Sequence, residues 1–187
     1  VQNDGTSIVV ADLVTATGLS STGVVVVRAL GGALTVAEAV NGVGNILLLS
    51  NSANVGLNAN VSSGGGHVSV LAGTSVSQNA NIQTDGGTVD VNALNGAITM
   101  SNGAQSISGN GNIRYHASSN MILGGLNASV GSISLVVENG SISDADGALA
   151  NLIASAVRIE TAGGVGAQTD AIETALGVIA IDAGSDV

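Results

Sequence analysis

Along most of the chain, apolar and variable residues alternate in short runs, and a glycine introduces nearly every run. The shared template is glycine, any residue, aliphatic, any residue, apolar, any residue, small. It reads GVVVVRA from Gly23, GNILLLS from Gly44, GHVSVLA from Gly66 and GTVDVNA from Gly87. It continues as GNIRYHA from Gly111, GSISLVV from Gly131, SAVRIET from Ser155 and GVIAIDA from Gly177. Alternation with a period of two predicts a strand with one face buried. The predicted inward pairs are Val25 and Val27, Ile46 and Leu48, Val68 and Val70, Val89 and Val91, Ile113 and Tyr115, Ile133 and Leu135, Val157 and Ile159, and Ile179 and Ile181.

Successive copies start 21, 22, 21, 24, 20, 24 and 22 residues apart. A weaker second strand follows in GALTV at 32–36, GAITM at 96–100, NMIL at 120–123 and GSIS at 140–143. A third apolar position, Val40, Val61, Ile82, Ile107 or Val130, closes several periods. One such period cannot bury its apolar side chains alone. Stacking periods at roughly 4.8 Å pairs each strand with its equivalents above and below, giving a rod of about 34 Å for seven periods. The predicted fold is therefore all-β: a right-handed parallel β-helix, or β-solenoid, with coils of about 22 residues. Residues 1–22 fit the template poorly and are expected to form an irregular first coil or covering segment, with the repeat array over 23–187. The insertion at 143–156 is expected to hold a short helix or an enlarged loop. Neither end reads as a polar cap, which points to a fragment of a longer rod.

Composition sharpens this picture. Hydrophobic residues make up 45% and aromatic residues 1%, with no Phe or Trp, so the interior must be filled by small aliphatic layers. The 28 glycines, with abundant Asn and Ser and no proline, suit short strands joined by tight turns, for which positive φ is the expected reason. A formal net charge of −10, with no lysine, gives phosphate backbones and anionic lipid little to attract, so no nucleic-acid partner is expected. The absence of cysteine excludes disulfides and thiolate chemistry. Mean hydropathy is +0.51, but turn-forming residues interrupt every apolar run, so no membrane span is expected.

The strands GHVSVLA and GTVDVNA, with NGSISDADG and VRIETAGGVGAQTDAIETALGVIAIDA, resemble the repeats of very large bacterial exported proteins of the filamentous-haemagglutinin-like kind. The resemblance spans roughly residues 23–187. It implies a right-handed parallel β-helix serving as a surface stalk or adhesin, outside the cell or on its surface.

Four groups of residues are candidates for chemistry or binding. Arg114, Tyr115 and His116 are consecutive, but alternation turns Tyr115 inward and the other two outward, so they cannot converge on one substrate. Asp90 shares the offset of Arg114 one coil earlier, which predicts an exposed ion pair. His67 and His116 lie two coils apart with no acid at fixed spacing, and the acids Asp85, Asp90, Glu138, Asp144, Asp146, Glu160, Asp170 and Glu173 are dispersed. No catalytic set, cofactor site or zinc site is expected from them. Asp144 and Asp146, in DADG, are calcium candidates, against a polar turn in which Asp bonds its own backbone. Val24, Val26, Leu47, Leu49 and Leu71 take outward offsets that later coils fill with polar groups. They form a possible interface, covered by residues 1–22 or by another domain or subunit.

The expected function is a non-catalytic stalk or adhesin scaffold. Its partners would be neighbouring repeats of the chain, other subunits, or host or matrix glycans and proteins. The alternatives are a carbohydrate-binding or polysaccharide-cleaving β-helix and a self-assembling extracellular fibre subunit.

Overall fold

The structure is a computed structural model that describes residues 2–3, 8–10, 18–145 and 147–185, with the backbone alone for the first two stretches. It is a parallel β-solenoid of about 8 turns of roughly 21 residues. Each turn visits three faces. Face 1 carries the template strands: β1 (Gln2–Asn3), β4 (Val25–Ala29), β7 (Ile46–Ser50), β10 (Val68–Ala72), β13 (Val89–Ala93), β16 (Ile113–Ala117) and β19 (Ser132–Val137). Face 2 carries β2 (Ile8–Val10), β5 (Leu34–Val36), β8 (Val55–Leu57), β11 (Val76–Gln78), β14 (Ile98–Met100), β17 (Met121–Leu123) and β20 (Ile142–Asp144). Face 3 carries β3 (Leu19–Ser21), β6 (Val40–Gly42), β9 (Val61–Ser63), β12 (Ile82–Thr84), β15 (Gln105–Ile107) and β18 (Gly125–Asn127). Two long strands, β21 (Leu152–Thr161) and β22 (Thr174–Ala183), run from face 3 into face 1 without a break.

Pairing is parallel and in register along each face. Val25, Ile46, Val68, Val89, Ile113, Ile133, Val157 and Ile179 form one column of face 1. Val27, Leu48, Val70, Val91, Tyr115, Leu135, Ile159 and Ile181 form the next. From Val25 to Ile159 every member of both columns is buried, as the alternation predicted. The same holds for the second strands at 34–36, 98–100, 121–123 and 142–144, and for Val40, Val61 and Ile82 on face 3.

Two expected closing positions are wrong. Ile107 pairs with Gln83 and is half-buried, while Ser106 takes the inward place opposite Ile82; Val130 is 71% exposed, and Leu126 fills the core instead. A one-residue shift moves a strand's whole inward set to the other face, so an apolar residue alone cannot fix the register of a three-residue strand. The insertion at 143–156 forms no helix among its described residues. β20 ends at Asp144, bends follow, and β21 begins at Leu152.

The template glycines also serve a different purpose from the expected one. A Cβ at Gly87 would lie 2.0 Å from the carbonyl oxygen of Gly66, and one at Gly111 would lie 2.1 Å from that of Gly87. At these two glycines the backbones of successive coils meet and close approach excludes a side chain, whereas Gly23 meets nothing within 4 Å and the copy at 155 carries a serine. Positive φ occurs in the preceding turn, at Gly86 (88°), Gly109 (74°) and, with a side chain, Ser129 (52°).

Asparagine has a comparable stacking role. The Oδ1 of Asn45, Asn54, Asn60, Asn81, Asn112 and Asn120 each accepts a backbone N–H from the coil above. Corner amide groups that would face water unpaired are thereby tied to the next turn.

Candidate functional site

The polar chemistry divides into a buried cluster and an outer surface. The buried cluster is centred on Tyr115, which is 0% exposed and lies between Val91 and Leu135. Its hydroxyl donates to Oε1 of Gln78 at 2.6 Å and accepts from the hydroxyl of Ser106, also at 2.6 Å. The Gln78 amide nitrogen returns to Ser106 Oγ at 3.1 Å and donates to the Gln105 carbonyl oxygen at 3.1 Å. The bonds form a closed ring in which each hydroxyl both gives and accepts. Burial raises the tyrosine pKa well above its ordinary value, opposed by the hydrogen bonds it shares with Ser106 and Gln78. The ring therefore stays a neutral phenol, unfit as a base at ordinary pH.

Sequence reasoning places Tyr115 inward but misses both partners. Gln78 sits on face 2 in register with Leu57 and Met100, and Ser106 sits on face 3 in register with Ile82 and Leu126. The available signal is the alternation Val76, Ser77, Gln78, which points a glutamine inward.

On the outer surface, Arg114 Nη1 lies 3.0 Å from Asp90 Oδ1, and both side chains are nearly half exposed, so the predicted pair forms. His116 sits between coils, with Nδ1 3.2 Å from Asn92 Oδ1 and Nε2 3.1 Å from Glu138 Oε1. His67 takes the place of an asparagine in the stacked corner: its N–H donates to Asn45, and its Nδ1 accepts from the Thr88 N–H at 3.0 Å. Both rings are engaged in contacts between coils. Among the described residues, no group of three or more His, Cys, Asp or Glu side chains is placed to hold a metal ion.

Asp144 ends β20 with its side chain turned inward. Its Oδ1 accepts from the Ala145 N–H at 2.6 Å and from the Asn151 side chain at 2.6 Å, and Asn151 also donates to the Gly124 carbonyl. That carboxylate pins the loop before β21. Asp146 lies outside the described residues.

The outward apolar residues cluster at the start of face 1. Val24 is 64% and Val26 40% exposed, Leu47 and Leu71 are half-buried, and Leu49 is 7% exposed. Around the corner, a cleft of about 580 Å³ is lined by Ser20, Asn41, Ser62 and Gln83, with Asp85 and Val43 beside them. Its floor is a column of hydroxyl and amide side chains, one per coil.

The last coil is different. Between β21 and β22 the face 2 ladder shrinks to a single parallel bridge, Ile142 with Val165, and a short antiparallel bridge, Ala167 with Asp170, follows. A cavity of about 710 Å³ lined by Leu152, Ile159, Val165, Ile172, Ile179 and Ile181 opens at this end. Comparison with protein-family models, curated protein sequences and solved structures gives no match, so the solenoid and its surfaces stand on their own geometry.

Proposed function

We propose that the chain is a non-catalytic stalk or adhesin scaffold in a large bacterial surface or secreted protein, of the filamentous-haemagglutinin-like kind. The observation that carries the reading is the unbroken in-register ladder of face 1, from β4 through β22, over a core dominated by aliphatic side chains. Parallel pairing along the rod axis resists extension because the coils from β4 to β20 are held by their neighbours on three faces. The ionisable side chains are used in contacts between coils or dispersed over the surface, which suits a spacer better than an enzyme. Protease shaving of intact cells of the source bacterium, probed with an antibody to the rod, tests this. The reading requires the epitope to be lost from the cells or found in the medium. Retention inside shaved, unbroken cells overturns it.

Self-association into an extracellular fibre is the second reading, and the parallel pairing of face 1 favours it. Val25, Ile46, Val68 and Val89 each donate their N–H to the following coil, a pattern that one copy stacked on another would continue. Light scattering across a dilution series separates the readings: growth in mass with concentration supports association, and a constant monomer mass removes it.

A further inference from the structure

The coils share one template, and most of their inward residues are Val, Ile or Leu, which are nearly interchangeable in a stacked core. Such a chain has a specific difficulty. A coil that pairs with its next-but-one neighbour, looping out the coil between, still buries aliphatic side chains against aliphatic side chains. What tells one coil from another must lie in the few inward positions that break the pattern.

Three of these positions meet at one level of the rod. On face 2, Gln78 interrupts a column that reads Val36, Leu57, Met100 and Leu123 before Asp144 ends it. On face 3, Ser106 interrupts Val40, Val61, Ile82, Leu126 and Leu152. On face 1, Tyr115 interrupts Leu48, Val70, Val91, Leu135 and Ile159. The residues belong to three successive template coils, those opened by Gly66, Gly87 and Gly111, yet their side chains close one hydrogen-bonded ring.

We infer that the Gln78, Ser106 and Tyr115 ring is a register lock, which gives the central coils a unique address in an otherwise repetitive stack. Its three members come from different faces and different turns of the chain, so only one stacking order satisfies all three. If any of these coils is skipped, its ring member leaves the stack with it. The two members that stay are then buried with a partner missing. Each orphaned group lowers the population of the slipped form by a factor of roughly 10 to 100. The aliphatic columns impose no comparable penalty, so the lock decides order more than it decides strength.

The absence of native cysteine permits a direct test. Ser77 and Thr99 are exposed register partners on face 2, and Thr99 in turn pairs with Ile122. Cysteines at 77 and 99 are one rung apart and within disulfide reach; those at 77 and 122 are two rungs, or about 9.6 Å, apart and out of reach. In the otherwise native chain, oxidation should link 77 to 99 and leave 77 and 122 free. In the variant Q78L/S106V/Y115L, whose ring is replaced by the residue types of the neighbouring coils, the 77–122 link should appear in roughly a tenth or more of the folded molecules, the population expected once at least one such penalty is removed. Y115F, which keeps the ring volume and removes the hydroxyl, should show the same link at a lower level. A folded triple variant that links only 77 to 99 overturns the inference, because packing alone would then set the order. Failure of both variants to fold cooperatively also overturns it, since the ring would then be needed for stability and not for order.

Discussion

Ile113 and Ile179 hold the same place in the same strand template, and their environments are opposite. Ile113, in the middle of the stack, is 1% exposed between Val89 and Ile133; Ile179 pairs with Val157 on one side and is 44% exposed. The comparison teaches that a coil's inward residue is buried by the coils above and below it as much as by its own turn. In a solenoid, stability belongs to interfaces between repeats, so interior and terminal copies of one motif cannot have equal worth.

The sharpest way to break this comparison is to truncate both residues. Ile113→Ala should cost about 2–5 kcal/mol by denaturant unfolding, because the neighbouring coils cannot close the cavity. Ile179→Ala should cost under about 1 kcal/mol, since its side chain has less burial to lose. Equal costs would mean that the last coil is covered in solution.

The glycine column gives a second contrast of the same kind. Gly111→Ala brings a methyl group against the Gly87 carbonyl and should cost about 1–3 kcal/mol or more. At Gly23, where a Cβ would meet nothing within 4 Å, the same change should be neutral or slightly stabilising. Thermal melts of the two variants check the prediction.

Tyr115 sharpens the comparison through pH. Its folded-state pKa is raised, so the unfolded phenol ionises first and the contribution is intact below the unfolded value of about 10. Stability should then fall by about 1.4 kcal/mol per pH unit as pH rises above 10 towards the folded value. The chain has no lysine or cysteine and a single tyrosine, so this alkaline loss should disappear in Y115F. Phenolate absorbance that rises together with unfolding would confirm the coupling, whereas absorbance preceding it would contradict the buried ring.

The smallest effect belongs to the outer surface. Asp90 and Arg114 are nearly half exposed, and their double-mutant cycle should give a coupling of about 0–1 kcal/mol that weakens with added salt. A larger coupling would place the pair under a covering segment, which would bear on the apolar strip at Val24 and Val26.

Much of the architecture was readable in the template itself. Alternation places the inward residues of face 1 correctly from Val25 to Ile159, because a strand's side-chain period leaves only two choices and burial selects one. The outward Asp90 and Arg114 pair follows from the same register. Face 3 was harder, because three-residue strands give too few alternations to fix a phase, and Ile107 and Val130 drew the prediction onto the outward side. The partners of Tyr115 were invisible for another reason: Gln78 and Ser106 lie 37 and 9 residues away in sequence. No spacing rule connects three residues that meet only because three different faces enclose one core.

The sequence alone determined the repeat, the strand polarity pattern, the solenoid class and the exclusion of thiol chemistry. These follow from local periodicity and composition, which act within one coil. The tertiary structure decided why the glycines are glycine, how the phenol is satisfied, which way Asp144 turns and where the core lies open. Each of these depends on what the next coil brings within a few ångströms, and that distance exists only after stacking.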